Sequence, residues 1–197
     1  MSKILEVCLF SFKENRRNRN FYVLLLFAGI IIISGFLFSR FAEEIEERMI
    51  RDVGLAGIEI FSILSAIFLS AKLLLIEVEN KLLYPILTKP VKRWEYLTGR
   101  FLGTVSVIGF GVIVMGIFLT GLLILKGCFD SLDKTYFLSY IYLLFKIIII
   151  ISLSIFFSLL STSSLSSMIF TGFLWIIGHL SNEIKYLAEE VNPLFLK

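Results

Sequence analysis

The apolar residues of this chain come in unbroken runs, and nothing else in the sequence constrains the fold as strongly. The stretches at about 21–39, 55–76, 101–125, 136–160 and 165–180 are almost wholly hydrophobic. A helix rises about 1.5 Å per residue, so roughly 20 residues cross about 30 Å of hydrocarbon. In that medium every backbone N–H and C=O needs a partner within the protein, which leaves helices and closed barrels. Barrel strands alternate polar and apolar residues, and these runs do not. Hydrophobic residues make up 57% of the 197 residues and charged ones only 18%, where soluble domains carry about a quarter charged. The expected fold class is an all-α, polytopic membrane helical bundle. Five spans lie in this chain, and a sixth is expected if the reading frame continues past Lys197.

The same composition removes several function classes. Nucleic-acid binding needs a basic face with exposed aromatics, whereas the aromatics here lie inside the apolar runs, so no nucleic-acid partner is expected. Cys8 and Cys128 show no metal-ligand spacing, and the topology below sets them on opposite sides of the bilayer, so neither a metal site nor a disulfide is expected. No phosphate-binding G-x-x-x-x-G-K-[ST] loop occurs, and Gly109-Phe110-Gly111 lacks its third glycine and the strand-to-helix setting. No G-x-S-x-G elbow is present, and the lone histidine, His179, has no catalytic companion. The chain reads as a non-enzyme, with no catalytic residue. If it does energetic work, the ATP is hydrolysed on another chain.

Taken in order, residues 1–20 form an amphipathic interfacial helix, with Ile4, Leu5, Cys8, Leu9 and Phe12 on one face. Its end gathers Lys13, Arg16, Arg17 and Arg19. Two readings stand: a cuff that docks a partner or lipid headgroups through Lys13, Arg16 and Arg17, or a plain basic anchor. Residues 21–197 are one transmembrane domain. After the first span, Phe41, Ile45, Met49 and Val53 fall four apart among Glu43, Glu44, Glu46 and Glu47, the pattern of a short acidic amphipathic helix. The third span is rich in glycine, which lets helices approach closely, so it is expected to pack against other helices. Residues 161–167 read as a serine-rich turn, and those from Ser181 as a tail. Glu59 and Lys146 are the intramembrane charges. Both fall in the outer half of the membrane, where they are able to pair. The alternative is that Glu59, near the first turn of its span, is simply solvated. Lys72 is expected to snorkel to the headgroups.

Orientation follows from Lys and Arg in the short loops. With the amino terminus inside, ten of them are cytoplasmic and seven lie opposite, and the basic cluster before the first span fixes that sense. The polar stretch 77–100, EVENKLLYPILTKPVKRWEYLTGR, is then cytoplasmic. Within it Thr88-Lys89-Pro90 reads as a helix start with proline at the first helical position. From there Val91, Trp94, Leu97 and Phe101 repeat at helical spacing into the third span. Leu82, Leu83, Ile86 and Leu87 form an earlier apolar helix that Pro85 interrupts. Two short helices result, basic at their joint.

These features resemble the permease subunit of a type-2 ATP-binding-cassette transporter of the exporter kind. The resemblance rests on the segment Phe12-Lys13-Glu14-Asn15-Arg16-Arg17 before the first span. It also rests on the loop series Glu77, Glu79, Leu82-Leu83, Ile86-Leu87, Pro90-Val91-Lys92-Arg93, Tyr96-Leu97 and Gly99-Arg100. It implies a coupling helix that seats in a groove of a cytoplasmic ATPase, with Glu79, Leu83, Leu87, Lys89, Pro90, Lys92 and Arg93 as the coupling residues. It also implies ATP and magnesium bound on that partner, none on this chain, and a homodimer or pseudo-symmetric heterodimer in a prokaryotic cytoplasmic (inner) membrane. The competing reading is a non-transporting scaffold or assembly factor that recruits a soluble protein through the same loop.

Overall fold

The computed structural model describes residues 3–38, 46–79, 92–125 and 134–195, and every regular element among them is an α-helix. These are α1 (Lys3–Arg16), α2 (Arg19–Phe38), α3 (Glu46–Glu79), α4 (Arg93–Leu125), α5 (Lys134–Leu160) and α6 (Ser164–Phe195). Within α3, α4, α5 and α6 lie four segments long and apolar enough to cross a membrane. A fifth results if α1 and α2, bent by 60° at their junction, count as one broken span. The all-α polytopic bundle expected from the sequence is the fold observed.

Local chemistry sets the helix boundaries. Between α1 and α2, the Arg17 amide donates to the carbonyls of Lys13 (3.2 Å) and Glu14 (3.1 Å), closing the first helix. The Asn18 carbonyl then accepts from the Phe21 amide at 3.1 Å, and asparagine is a favoured residue at a helix N-cap. Before α4, the Lys92 amide donates to the Glu95 carboxylate at 2.9 Å, the arm of a capping box that reaches back from the third helical residue. Before α6, Ser163 Oγ accepts from the Ser166 amide at 3.3 Å, a serine N-cap.

Four boundaries differ from the sequence reading. The acidic helix after the first span is not a separate short element. From Glu46 it runs unbroken into the second span, because Ile50, Ile58 and Phe61 continue one buried stripe across the expected break. Glu43 and Glu44 lie outside the described residues. The helix entering the third span begins at Arg93, not Pro90, since the Glu95 cap sets its first turn. The serine turn is shorter than 161–167, because Ser163 caps a helix that has already begun at Ser164. The stretch from Ser181 is no tail but the continuation of α6 to Phe195. Helices of 32–34 residues span about 50 Å, well beyond about 30 Å of hydrocarbon, so α3, α4 and α6 project from the membrane.

At the centre stands α3, which packs against α2, α4, α5 and α6. The core joins Ile58, Phe61, Ala66 and Leu69 of α3 to Ile32 of α2, Ile108, Met115 and Leu119 of α4, and Ile147 and Ile151 of α5. On the outer surface stand Ile113, Ile117, Tyr142, Phe145, Ile149, Ile169 and Phe173, each more than half exposed. Water would penalise so wide an apolar surface, and lipid tails do not. A few hydroxyl contacts tie helix to helix: Ser158 Oγ to the Ala71 carbonyl (3.2 Å), Ser167 Oγ to the Ser154 carbonyl (3.2 Å), and Thr120 to Tyr136 (3.0 Å).

The glycines of α4 serve different neighbours. A Cβ at Gly99 would stand 2.7 Å from the Val7 side chain. At Gly103 it would stand 2.5 Å from Ser11 Cβ and 2.9 Å from the Cys8 carbonyl oxygen, so α1 lies directly against the α4 backbone. At Gly121 nothing lies within 4 Å. Gly103→Ala is therefore expected to destabilise the fold by about 1–3 kcal/mol, since backbone oxygen cannot step aside. Gly121→Ala should be neutral or slightly stabilising, with no contact to relieve and better helix propensity. Equilibrium unfolding of the two variants in detergent micelles checks both, and equal effects would contradict the packing described.

Candidate functional site: a clamped interfacial helix and an intramembrane ion pair

Two groups of polar residues, at different levels of the bundle, hold the chemistry. The first joins α1 to the start of α4. Arg100 enters the apolar environment there with a side chain only 4% exposed, and its Nη1 pairs with the Glu14 carboxylate. Its Nε donates to the Tyr96 hydroxyl at 3.0 Å. The guanidinium also lies over the rings of Phe10 (5.4 Å) and Tyr96 (5.5 Å), whose faces attract a cation. One turn deeper, Asn15 Nδ2 donates to Thr104 Oγ1 at 3.2 Å, and that hydroxyl donates to the Arg100 carbonyl at 3.0 Å. Deeper still, Phe12 meets Phe110 edge-on at 6.4 Å. The clamp thus runs the length of α1.

The helix expected at 1–20 is therefore docked on α4 through Val7, Ser11, Glu14 and Asn15, while Leu5 and Leu9 of its expected apolar face stand about half exposed. Lys13, Arg16 and Arg17 are exposed on its other side. Of the loop residues singled out from the sequence, Glu79 is the last residue of α3 and Arg93 the first of α4. Lys92 is exposed immediately before α4. Leu83, Leu87, Lys89 and Pro90 lie outside the described residues, as do the Pro85 break and Thr88. Sequence reasoning missed the clamp. Glu14 and Arg100 both fell within the segments used for the resemblance, yet 86 residues separate them, and periodicity within either segment says nothing about the other. The signal that was available is Gly99-x-x-x-Gly103 beside a buried-face arginine: one helix face both smoothed for contact and charged.

The second group lies within the membrane-crossing part. Lys146 Nζ pairs with the Glu59 carboxylate, joining α5 to α3. Glu59 is twelfth of the 24 residues in the candidate span Arg48–Ala71, and Lys146 is thirteenth of the 27 in Lys134–Leu160. Glu59 lies on the α3 face turned to α5, where it meets Lys146 rather than standing alone in solvent. Beside the pair, Tyr136, Tyr140 and Thr120 form a hydroxyl chain with contacts of 2.8 and 3.0 Å. Among the described residues no cluster of His, Cys, Asp and Glu has the makings of a metal site. The single described cysteine, Cys8, is a free thiol.

An isolated charge in hydrocarbon is costly, so each partner here neutralises the other. Glu59→Lys and Lys146→Glu are each expected to lower folded yield and activity sharply, and the double reversal to restore much of the loss. A coupling energy of about 0.5–3 kcal/mol in the double-mutant cycle is the expected size. At the other level, Glu14→Ala should cost about 1.5–3 kcal/mol by leaving the buried Arg100 without its carboxylate. Glu14→Gln should cost less, since it keeps an acceptor. Unfolding midpoints of the detergent-solubilised chain check both sets.

A family model described as ABC-2 family transporter protein matches residues 4–184, which reaches from α1 into α6. Neither a curated protein nor a solved structure matches the chain. The matched region includes the docked α1, the long α3 and α4 on either side of the 77–100 loop, and both polar groups. The chain belongs to the ABC-2 transporter family and is a multi-pass membrane permease component of an ATP-binding-cassette transporter.

Proposed function

We propose that this chain is the membrane-spanning subunit of an ATP-driven exporter, coupling hydrolysis on a partner chain to alternating access of the bundle. The observation that carries the reading is the clamp of α1 onto α4 through Arg100, Glu14, Gly99 and Gly103. It makes the start of α4, which follows directly on the 77–100 loop, a braced two-helix unit rather than a lone helix end. A push on the loop is then delivered to the bundle instead of being lost in bending. ATP and magnesium belong to the partner in this reading. The loop residues Glu79, Leu83, Leu87, Lys89, Pro90, Lys92 and Arg93 meet the ATPase, while Lys13, Arg16 and Arg17 face the same side from α1. Two permease subunits, identical or paired in a pseudo-symmetric heterodimer, each grip one ATPase. The assembly sits in a prokaryotic inner membrane with the amino terminus in the cytoplasm.

The family membership supports an ATPase partner, and the exposure of Lys13, Arg16, Arg17 and Lys92 leaves a basic surface next to the loop. Affinity purification of the full chain from its native membrane should recover a Walker-motif ATPase. Replacing Leu87, Lys92 and Arg93 together by alanine should lower that complex's ATPase rate, or its yield, at least about tenfold, as expected for about 1.4 kcal/mol or more of lost docking energy. Recovery of intact protein with no nucleotide-binding partner would instead favour a scaffold.

A further inference from the structure

The Glu59–Lys146 pair stands between two cavities. Glu59 borders one of about 210 Å³ between α3 and α5, which Tyr140 also lines. Lys146 borders another, of about 290 Å³, between α5 and α6. The second is unusual in its polar groups. Lys146, Thr171, Trp175 and His179 line it among apolar residues such as Ile150 and Leu153, and among the described residues no carboxylate does.

Two of these groups, Lys146 and Trp175, hold donors to spare. An ammonium carries three N–H donors, and among the described residues Lys146 donates only to Glu59. Trp175 Nε1, which can only donate, is buried with no partner. The His179 ring stacks on Trp175 with centroids 5.6 Å apart and makes no hydrogen bond among the described residues. The Thr171 hydroxyl spends its hydrogen on the Ser167 carbonyl at 2.8 Å. The ion pair is not sealed either, for the Lys146 side chain is 38% exposed. A larger cavity of about 500 Å³ between α4 and α5 offers a contrast. Its hydroxyls on Thr120, Tyr136 and Tyr140 already bond one another, and it presents no charge.

We propose that the α5–α6 cavity binds the anionic oxygen headgroup, carboxylate or phosphate ester, of a membrane amphiphile at Lys146, in competition with Glu59. Charge complementarity selects an anion, because among the described residues the cavity's one formal charge is positive and Lys146 and Trp175 hold donors to spare. The apolar remainder and the bilayer depth select an alkyl-chain carrier over a water-soluble anion. Ile149 and Leu174, both lining residues and both exposed on the outer surface, mark a lateral way in from lipid. A bound anion takes the lysine from Glu59 and so loosens the tie between α5 and the central α3. The binding stands apart from ATPase coupling: it is read on this chain alone, and either result is possible whether or not an ATPase is its partner.

Trp175 supplies the reporter, since Trp94 is the only other tryptophan and lies near the opposite end of the bundle. The full chain carrying Trp94→Phe, in phosphatidylcholine nanodiscs, is titrated with dibromostearate above its carboxylate pKa or with the uncharged methyl ester. Saturable quenching by the acid, at least about tenfold tighter than by the ester, is expected from a charge-assisted contact of about 1.5–3 kcal/mol. Glu59→Gln removes the competing negative charge and should tighten binding. Glu59→Gln with Lys146→Gln replaces the ion pair by two neutral amides, so it holds the fold without the cation and should lose the preference for the acid. Nanodiscs with dibrominated phosphatidylglycerol or phosphatidylcholine separate the sources. Stronger quenching by phosphatidylglycerol assigns a lipid headgroup, and quenching by the free acid alone assigns a single-chain carboxylate. Equal quenching by acid and ester, or an unchanged acid preference in the double variant, overturns the proposal.

Discussion

Lipid tails are as apolar as leucine, and that constraint governs how this bundle holds together. In water, burial of Ile58, Phe61 and Leu119 would supply most of the driving force; between helices already in hydrocarbon it supplies little. What remains is close packing and the few polar contacts that lipid cannot make. Both are concentrated at α3 and α4. The glycines of α4 let α1 approach to backbone contact at Gly99 and Gly103, and take the rings of Phe61 and Tyr140 at Gly111 and Gly116. The serines and threonines elsewhere mostly return their hydrogens to their own helix, as Thr104, Ser106 and Thr120 do. They are quiet inside lipid for that reason.

Against this background the two ion pairs have unequal settings. Arg100 is shielded on nearly all sides, and two aromatic faces share its charge, so Glu14 completes a site that is already favourable. Removing the carboxylate weakens α1 docking but leaves the guanidinium in contact with Tyr96. Lys146 has no such support. Its only hydrogen bond in the described residues is to Glu59, with open volume on both sides of the pair. The first pair is enclosed on the arginine side, and the second is about one-third exposed on both sides.

The number of apolar segments, their helical state and the family were legible in the sequence because hydrocarbon thickness acts on contiguous residues. The helix before the first span was legible from its periodicity, but the face it docks was not: Ser11 and Asn15 are buried while Leu5 and Leu9 stand exposed. Boundaries were less so. Pro90 is a good first helical residue, but Glu95 reaching back to the Lys92 amide sets the observed start, and a proline signal carries no information about a cap three residues on. Glu59 looked close to the surface because its span was begun at the first uncharged run. The contacts that matter most are long-range: Glu14 with Arg100 and Glu59 with Lys146, the latter 87 residues apart. For the second pair, the rarity of intramembrane charge singled out both residues. For the first, only the small residues Gly99 and Gly103 beside Arg100 hinted at a contact face, and the arginine itself ends a polar loop in the sequence.

The connectivity gives the loop an uncommon mechanical position. Its two anchors are the end of α3 at Glu79 and the start of α4 at Arg93. One is the helix that touches four others, and the other carries α1 along its first turns. Displacing the loop therefore acts on the centre of the bundle and on its brace together, and the two helices cannot respond independently. Farther along, the same α3 holds Glu59 against Lys146, while the same α4 holds Thr120 in the hydroxyl chain of Tyr136 and Tyr140. A relative shift of α3 and α4 changes the surroundings of α5 at two polar contacts, and α5 forms one wall of the cavity beneath Lys146. Glu59, Lys146, Thr120, Tyr136 and Tyr140 thus have a geometry that depends on how α3, α4 and α5 sit.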